Sequence, residues 1–172
     1  MTTAALISVD EYLRTCYRPD CDYLEGRVVE RNVGEYDHAR VQAKLVAFLY
    51  NREGEWELRV VSEQRVQVKP RRFRIPDVCA VRAQDPVEQI FRRPPLLCAE
   101  VLSKDDTLRE TEQRVKDYLD LGVECVWVLD PGRRQAWSYT AAGGRKEVHE
   151  TLRVPGTPIE VPLAAVLGER KR

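Results

Sequence analysis

The chain has 172 residues, of which 43% are hydrophobic and 33% charged, and its 28 Lys plus Arg are matched by 28 Asp plus Glu. That length fits one domain, so residues 1–172 are read as a single unit. The composition excludes a disordered chain, and the longest apolar runs, such as 94–99, fall far short of the ~20 residues a spanning helix needs. Zero net charge gives no whole-chain attraction for a polyanion, which leaves local clusters at Arg71, Arg72 and Arg74, at Arg92 and Arg93, at Arg133 and Arg134, and at Arg170, Lys171 and Arg172.

Residues 1–6 lack a basic stretch leading into an apolar one, so no secretion signal is read there and the cytoplasm is expected. Cys16, Cys21, Cys79, Cys98 and Cys125 form an odd set without a CxxC pair, three of them inside apolar runs, and are read as reduced thiols, mostly core.

Ser8 followed by Glu11 predicts a helix over residues 9–17 that stops before Pro19. Residues 23–30 place Gly26 beside a β-branched run, the pattern of a hairpin. From Tyr36 to about Arg52 a helix is predicted, because Val41, Leu45, Phe48 and Leu49 recur on one face. Three β-rich runs follow at 57–61, 65–68 and 75–81 and are read as a meander. A Pro-rich loop then leads into a strand at 96–102, a helix at 107–121 stopped by Gly122, and an apolar strand at 123–129. Strand, helix, strand in that order implies a parallel crossover. A last hairpin is expected from 135–140 and 146–152 around Gly143 and Gly144, and a short helix at 163–167. The sum is an α/β (α+β) fold, a mixed β-sheet core flanked by helices.

Two acids stand where burial is expected. Asp77 opens the strand of 75–81 directly after Pro76, and Glu100 interrupts the run Leu96, Leu97, Cys98, Ala99, Val101, Leu102. A buried carboxylate has to be paired, protonated or bound to metal. One arrangement has Asp77 capping a turn and Glu100 paired with an arginine such as Arg74. The other has both acids on adjacent strands, forming a hard-oxygen site suited to Mg²⁺ and to metal-assisted phosphodiester hydrolysis.

These residues, taken in order, resemble the PD-(D/E)XK restriction-endonuclease-like fold and, within it, the Uma-type endonuclease family. The resemblance runs from Tyr12 to about Tyr139. It is carried by Asp22-Tyr23-Leu24-Glu25-Gly26, by His38 opening a helix, by Pro76-Asp77-Val78, by Glu100-Val101-Leu102-Ser103, by Lys116-Asp117-Tyr118, and by Gly122 through Pro131. It implies a restriction-endonuclease-like mixed sheet, metal carboxylates at Asp77 and Glu100, and help from the backbone carbonyl of Val101. Leu102 stands where the superfamily motif has its lysine, and the resemblance implies that Lys116, on the following helix, takes that place. On a helical projection Leu108, Val115 and Leu119 lie within about 20° of one line and Lys116 about 80° from it, so Lys116 is expected on the shoulder of the buried stripe. The alternative for Lys116 is an i,i+4 pair with Glu112.

Asp22 falls where the family carries a glutamate and is a candidate third acid, whereas Glu25 beside Gly26 reads as a turn residue. His38 lies on the shoulder of its own stripe and either faces the acids or serves as a helix-terminal histidine. Gln64 ranks low, and His149, distant from every motif, is read as surface. The implied function is a Mg²⁺-dependent endonuclease, with Mn²⁺ able to substitute, acting on nucleic acid and on DNA rather than RNA. A homodimer is expected because cutting both strands takes two centres. The alternatives are a catalytically inactive nuclease-fold binding module, and a small homo-oligomer joined through exposed aromatics such as Trp137 and Tyr139.

Overall fold

The computed structural model describes residues 6–32 and 35–168; the basic cluster at 170–172 lies outside them. Helix α1 (Val9–Arg14) starts where expected, with the Ser8 hydroxyl accepting the Glu11 N–H at 3.1 Å, and ends three residues earlier than its pattern. Strands β1 (Cys21–Leu24) and β2 (Arg27–Glu30) form the hairpin around Glu25 and Gly26, both at positive φ. Helix α2 (Tyr36–Tyr50) buries Val41, Leu45 and Leu49, and a short helical turn, α3 (Glu53–Trp56), follows.

The expected meander is divided between two sheets. Strand β3 (Leu58–Ser62) pairs with β6 (Val78–Arg82), but β4 (Val66–Lys69) pairs with β5 (Arg72–Arg74), and β5 joins β1. The small antiparallel sheet is therefore ordered β2-β1-β5-β4. Strand β7 (Leu97–Val101), helix α4 (Leu108–Leu121) and strand β8 (Cys125–Asp130) form the expected parallel unit. A full capping box joins Thr107 and Glu110 at the start of α4, and Gly122 ends it at φ +108°, a conformation that suits glycine. Strands β9 (Gln135–Thr140) and β10 (Gly144–Val148) complete a mixed six-stranded sheet ordered β10-β9-β8-β7-β6-β3. The expected last hairpin forms between β9 and β10, and only the end of its expected second strand lies in a separate strand, β11 (Thr151–Arg153), paired with β12 (Glu160–Pro162) just before helix α5 (Leu163–Leu167).

The period-2 alternation of β6, β7 and β8 sends their side chains to two cores. On one face Val78, Ala99, Trp127 and Leu129 meet α2, α5 and the β11/β12 pair. On the other Cys79, Cys98, Val126 and Val128 meet Val115 and Tyr118 of α4 and Val66 and Val68 of β4. A third cluster of Tyr12, Tyr23 and Phe73 fixes α1 to the small sheet, with Tyr12 and Tyr23 stacked at 5.0 Å. Four of the cysteines are buried and all five are free, the state expected of core thiols. The expectation of an exposed aromatic interface is corrected. Tyr139 is buried in the α4-side core, and Trp137 packs against the same core with the Arg145 guanidinium over its ring. His149 is exposed, as read.

Candidate active site

The β6–β7 register pairs Val78 with Ala99, so one step further Asp77 stands opposite Glu100. Directly opposed residues of an antiparallel pair project to the same face. That face is the one α4 covers, since Cys79 and Cys98, two steps away on each strand, belong to the α4-side core. Both acids are buried at 2% exposure, at the place where the strands emerge from the sheet.

Every oxygen of the pair has a cationic or hydrogen-bonding partner, Glu100 Oε2 through an ion pair alone. Asp77 Oδ1 accepts the Arg31 guanidinium at 2.5 Å, and Oδ2 accepts the Val101 N–H at 2.7 Å with His38 Nε2 at 3.4 Å. Glu100 Oε1 accepts the Tyr118 hydroxyl at 2.5 Å, and Oε2 lies 3.6 Å from Arg114 Nη1. Arg114 also binds Asp106 at 3.0 Å, and Asp106 is tied by its other oxygen to the Ser103 N–H and hydroxyl, so the loop after β7 is fastened to the site. Gln42 on α2 donates to the Asp77 carbonyl at 3.1 Å.

The two acids are driven in opposite directions. Burial pushes Asp77 up, but the His38 bond and the Arg31 charge outweigh it and hold Asp77 below the usual carboxylate range. Burial, and then the Asp77 charge, push Glu100 up to about 7 against the opposing pull of Arg114, Arg31 and the Tyr118 hydroxyl. His38 is raised, first through its hydrogen bond to Asp77. Split acidity in a neighbouring pair is the electrostatic pattern of a working site. A cavity of about 320 Å³ bordered by Arg31, His38, Gln42 and Glu63 opens onto Asp77.

Of the residues singled out from the sequence, Asp77, Glu100, Val101 and His38 come together. Asp22 stands near enough for its charge to act on Arg31 and Arg114 but contacts neither acid, and Lys116 stands apart. Asp22 accepts Arg74 Nη1 at 2.8 Å and the Ile75 N–H at 3.2 Å, and Arg74 in turn holds Asp117, so this acid closes a buried ion network that locks the small sheet to α4. Arg74 therefore has Asp22 and Asp117 as its partners, where an ion pair with Glu100 was one of the expected arrangements. Lys116 is corrected outright: its side chain is 64% exposed and its ammonium binds Asp120 at 2.8 Å, one turn along, in place of the expected Glu112. Glu25 is the turn residue anticipated, and Gln64 bonds the Gln89 carbonyl at 2.7 Å. The sequence reading missed Arg31, Arg114, Asp106 and Tyr118. Tyr118 alone left a signal, since a tyrosine on the buried side of an amphipathic helix needs a partner for its hydroxyl; Arg31 simply follows a hairpin strand.

The donor set fits a hard divalent ion. Two buried carboxylates repel one another, and a carboxylate oxygen that accepts one hydrogen bond keeps a further lone pair for a cation. Among the described residues no cluster of three His, Cys, Asp or Glu is formed to enclose a metal.

A search of curated proteins finds no match. Among solved structures, one described as "Crystal structure of a putative nuclease belonging to DUF820 from Anabaena variabilis ATCC 29413" superposes with a TM-score of 0.82 at 18% identity, covering 94% of this chain and 97% of that one. At that identity the likeness establishes the shared fold. No helix among the described residues is long and apolar enough to cross a membrane. The model of the Uma2 family, described as "Putative restriction endonuclease", matches residues 9–167, and the chain belongs to that family.

Proposed function

We infer that this chain is a Mg²⁺-dependent endonuclease that hydrolyses phosphodiester bonds in DNA, with Mn²⁺ able to replace Mg²⁺. The observation that carries this is the buried Asp77–Glu100 pair, opposed on neighbouring central strands with arginines on its flanks. Asp77, Glu100 and the carbonyl of Val101 would hold the ion, which when bound supplies charge neutralisation at the phosphate and a more acidic water.

The remaining chemistry belongs to the chain's own side chains. Arg31 and Arg114 present guanidinium groups beside the two acids, placed to take non-bridging phosphate oxygens as charge develops there. His38, whose Nε2–H donates to Asp77, borders the cavity and keeps Nδ1 as the nitrogen able to accept the proton of the attacking water. No role is left for Lys116, and Asp22 acts through Arg74 as scaffold. Cleavage of both DNA strands implies a homodimer, and the expected compartment is the cytoplasm.

The test is nicking of supercoiled plasmid by purified protein with Mg²⁺, Mn²⁺ or EDTA, compared with Asp77→Asn and Glu100→Gln. Metal-dependent cleavage lost in both variants supports the assignment. Calorimetric Mg²⁺ binding that is unchanged in Asp77→Asn refutes the metal site. A second reading, nucleic-acid binding without cleavage, is favoured by one feature: among the described residues the cationic partners of Asp77 and Glu100 are two arginines and a histidine, with no lysine. Wild-type protein that binds DNA yet leaves plasmid intact under both metals would decide for it.

A further inference from the structure

A groove of about 620 Å³ lies behind the acid pair, between the β1–β2 hairpin and the first two turns of α4. Its wall carries four guanidinium groups, from Arg31, Arg74, Arg109 and Arg114. Arg31 and Arg114 are the same side chains that contact Asp77 and Glu100, so the groove and the acid pair share one wall.

The charges in the groove are unequally engaged. Asp22 is consumed by Arg74 and the Ile75 N–H, and Glu110 is folded back on the N–H and hydroxyl of Thr107 as part of the helix cap. Glu30, on β2, is exposed to solvent. Arg109, exposed at the start of α4, forms no ion pair or hydrogen bond with any described residue. A free guanidinium beside a concave wall of further guanidiniums is the chemistry that takes a phosphate diester, since its planar fork matches two phosphate oxygens at once.

We propose that this groove is a backbone subsite in which Arg109 holds a phosphate of the nucleic-acid strand adjacent to the one that Arg31 and Arg114 meet beside Asp77 and Glu100. The proposal rests on the nuclease assignment for its position along the strand, but the binding itself needs no cleavage. Arg74, already saturated by two acids, shapes the floor and is not a phosphate ligand. Arg109 is thus a positioning residue that sets the register of the strand without touching the acid pair.

The experiment measures the anisotropy of a short fluorescein-labelled DNA strand, with EDTA present to prevent cleavage, over a series of salt concentrations. Arg109→Ala is expected to weaken binding roughly 3- to 10-fold and to reduce the log–log salt slope by about 1, and Arg109→Glu to weaken it further. Lys146→Glu, on the exposed edge strand β10, carries the same change of charge and is expected to leave the slope unaltered. An unchanged slope in Arg109→Glu overturns the subsite, as does an equal loss in Lys146→Glu, which would mark a general field effect. Plasmid nicking run alongside separates the two proposals. Wild-type nicking abolished by Asp77→Asn while Arg109→Glu still binds normally removes the groove and keeps the nuclease. Weakened binding in Arg109→Glu with no wild-type nicking keeps the groove and removes the nuclease.

Discussion

Within the buried acid pair, Glu100 makes the stability of the metal-free protein depend on pH in a direction opposite to that of an ordinary salt-bridged carboxylate such as Asp77. Glu100 titrates near 4.5 when unfolded and at about 7 when folded. Between those values the unfolded chain has released the proton and the folded chain keeps it, so folding is favoured by acid and stability falls as pH rises through the window. Each pKa unit corresponds to 1.36 kcal/mol, so the fall attributable to Glu100 is about 3 kcal/mol. His38 adds a fall of the same sign displaced upward: its raised pKa stabilises the fold below its unfolded value near 6.5, and that contribution is lost as pH rises through its folded value.

Glu100→Gln removes the titration while its amide oxygen can still accept the Tyr118 hydroxyl. Urea unfolding in EDTA at constant ionic strength, from pH 4.5 to 8, should show wild-type stability declining across the window. The variant should lack the part below pH 7 and retain the part due to His38. Above pH 7 the variant should be the more stable protein by about 3 kcal/mol, or about 9 °C in Tm for a chain of this size. Mg²⁺ should stabilise the wild type at pH 8, where both acids are ionised and free to take the ion, and leave the variant unmoved. An identical slope in both proteins between pH 4.5 and 7 would refute the idea that Glu100 is held protonated by burial and by Asp77.

Three further outcomes are expected. Lys116→Ala, at a surface i,i+4 pair, should change stability by less than about 0.5 kcal/mol and leave nicking intact, and a tenfold loss of nicking would return Lys116 to the site. Arg74→Ala should destabilise by about 3–5 kcal/mol in urea, because Asp22 and Asp117 would stay buried without their shared cation; a loss under about 1 kcal/mol would show that water replaces it. Gly122→Ala should lower stability by about 1–2 kcal/mol through its φ of +108° alone, since the added Cβ would meet only Pro94, its Cγ at 3.5 Å and its Cβ at 3.7 Å, both ordinary contacts. A fully compensating double change at Pro94 would argue that the cost is steric instead.

Much of the scaffold was legible because its signals are local. The cap at Thr107, the stop at Gly122 and the apolar run of β8 each act over a few residues, and each element formed where its pattern lies. Which sheet a strand joins is not local information. Val66 and Val68 alternate inward whichever neighbour they find, so β4 could be recognised as a strand while its partner could not. That partner, β5, is three residues long with two arginines, and its ion pairs, from Arg72 and Arg74 to Asp117 on α4 and from Arg74 to Asp22 on β1, lie far away in sequence.

The site shows the same division, and α4 shows its cause. Asp77 and Glu100 announce themselves as acids in apolar strands, whereas the cation that meets Glu100 depends on how α4 is rotated about its axis. A stripe drawn through Leu108, Val115 and Leu119 places Lys116 on its shoulder, but Leu108 is 61% exposed and the side chains actually buried include Thr111, Val115 and Tyr118. Taking Val115 as zero, those three lie between about −60° and 0°, so their centre is about 50° from the line through the leucines, and the fourth buried residue, Asp117, lies further round on the same side. That turn carries Lys116 about 130° away from the centre, into solvent, and brings Arg114 to about 70° on the other side, over Glu100. Hydrophobicity alone ranks Leu108 above Thr111 and Tyr118. Hydrogen bonding reverses the order, because Tyr118 has Glu100 and Thr111 has the Thr107 carbonyl to satisfy their hydroxyls inside the fold, and the rotation they impose selects the arginine.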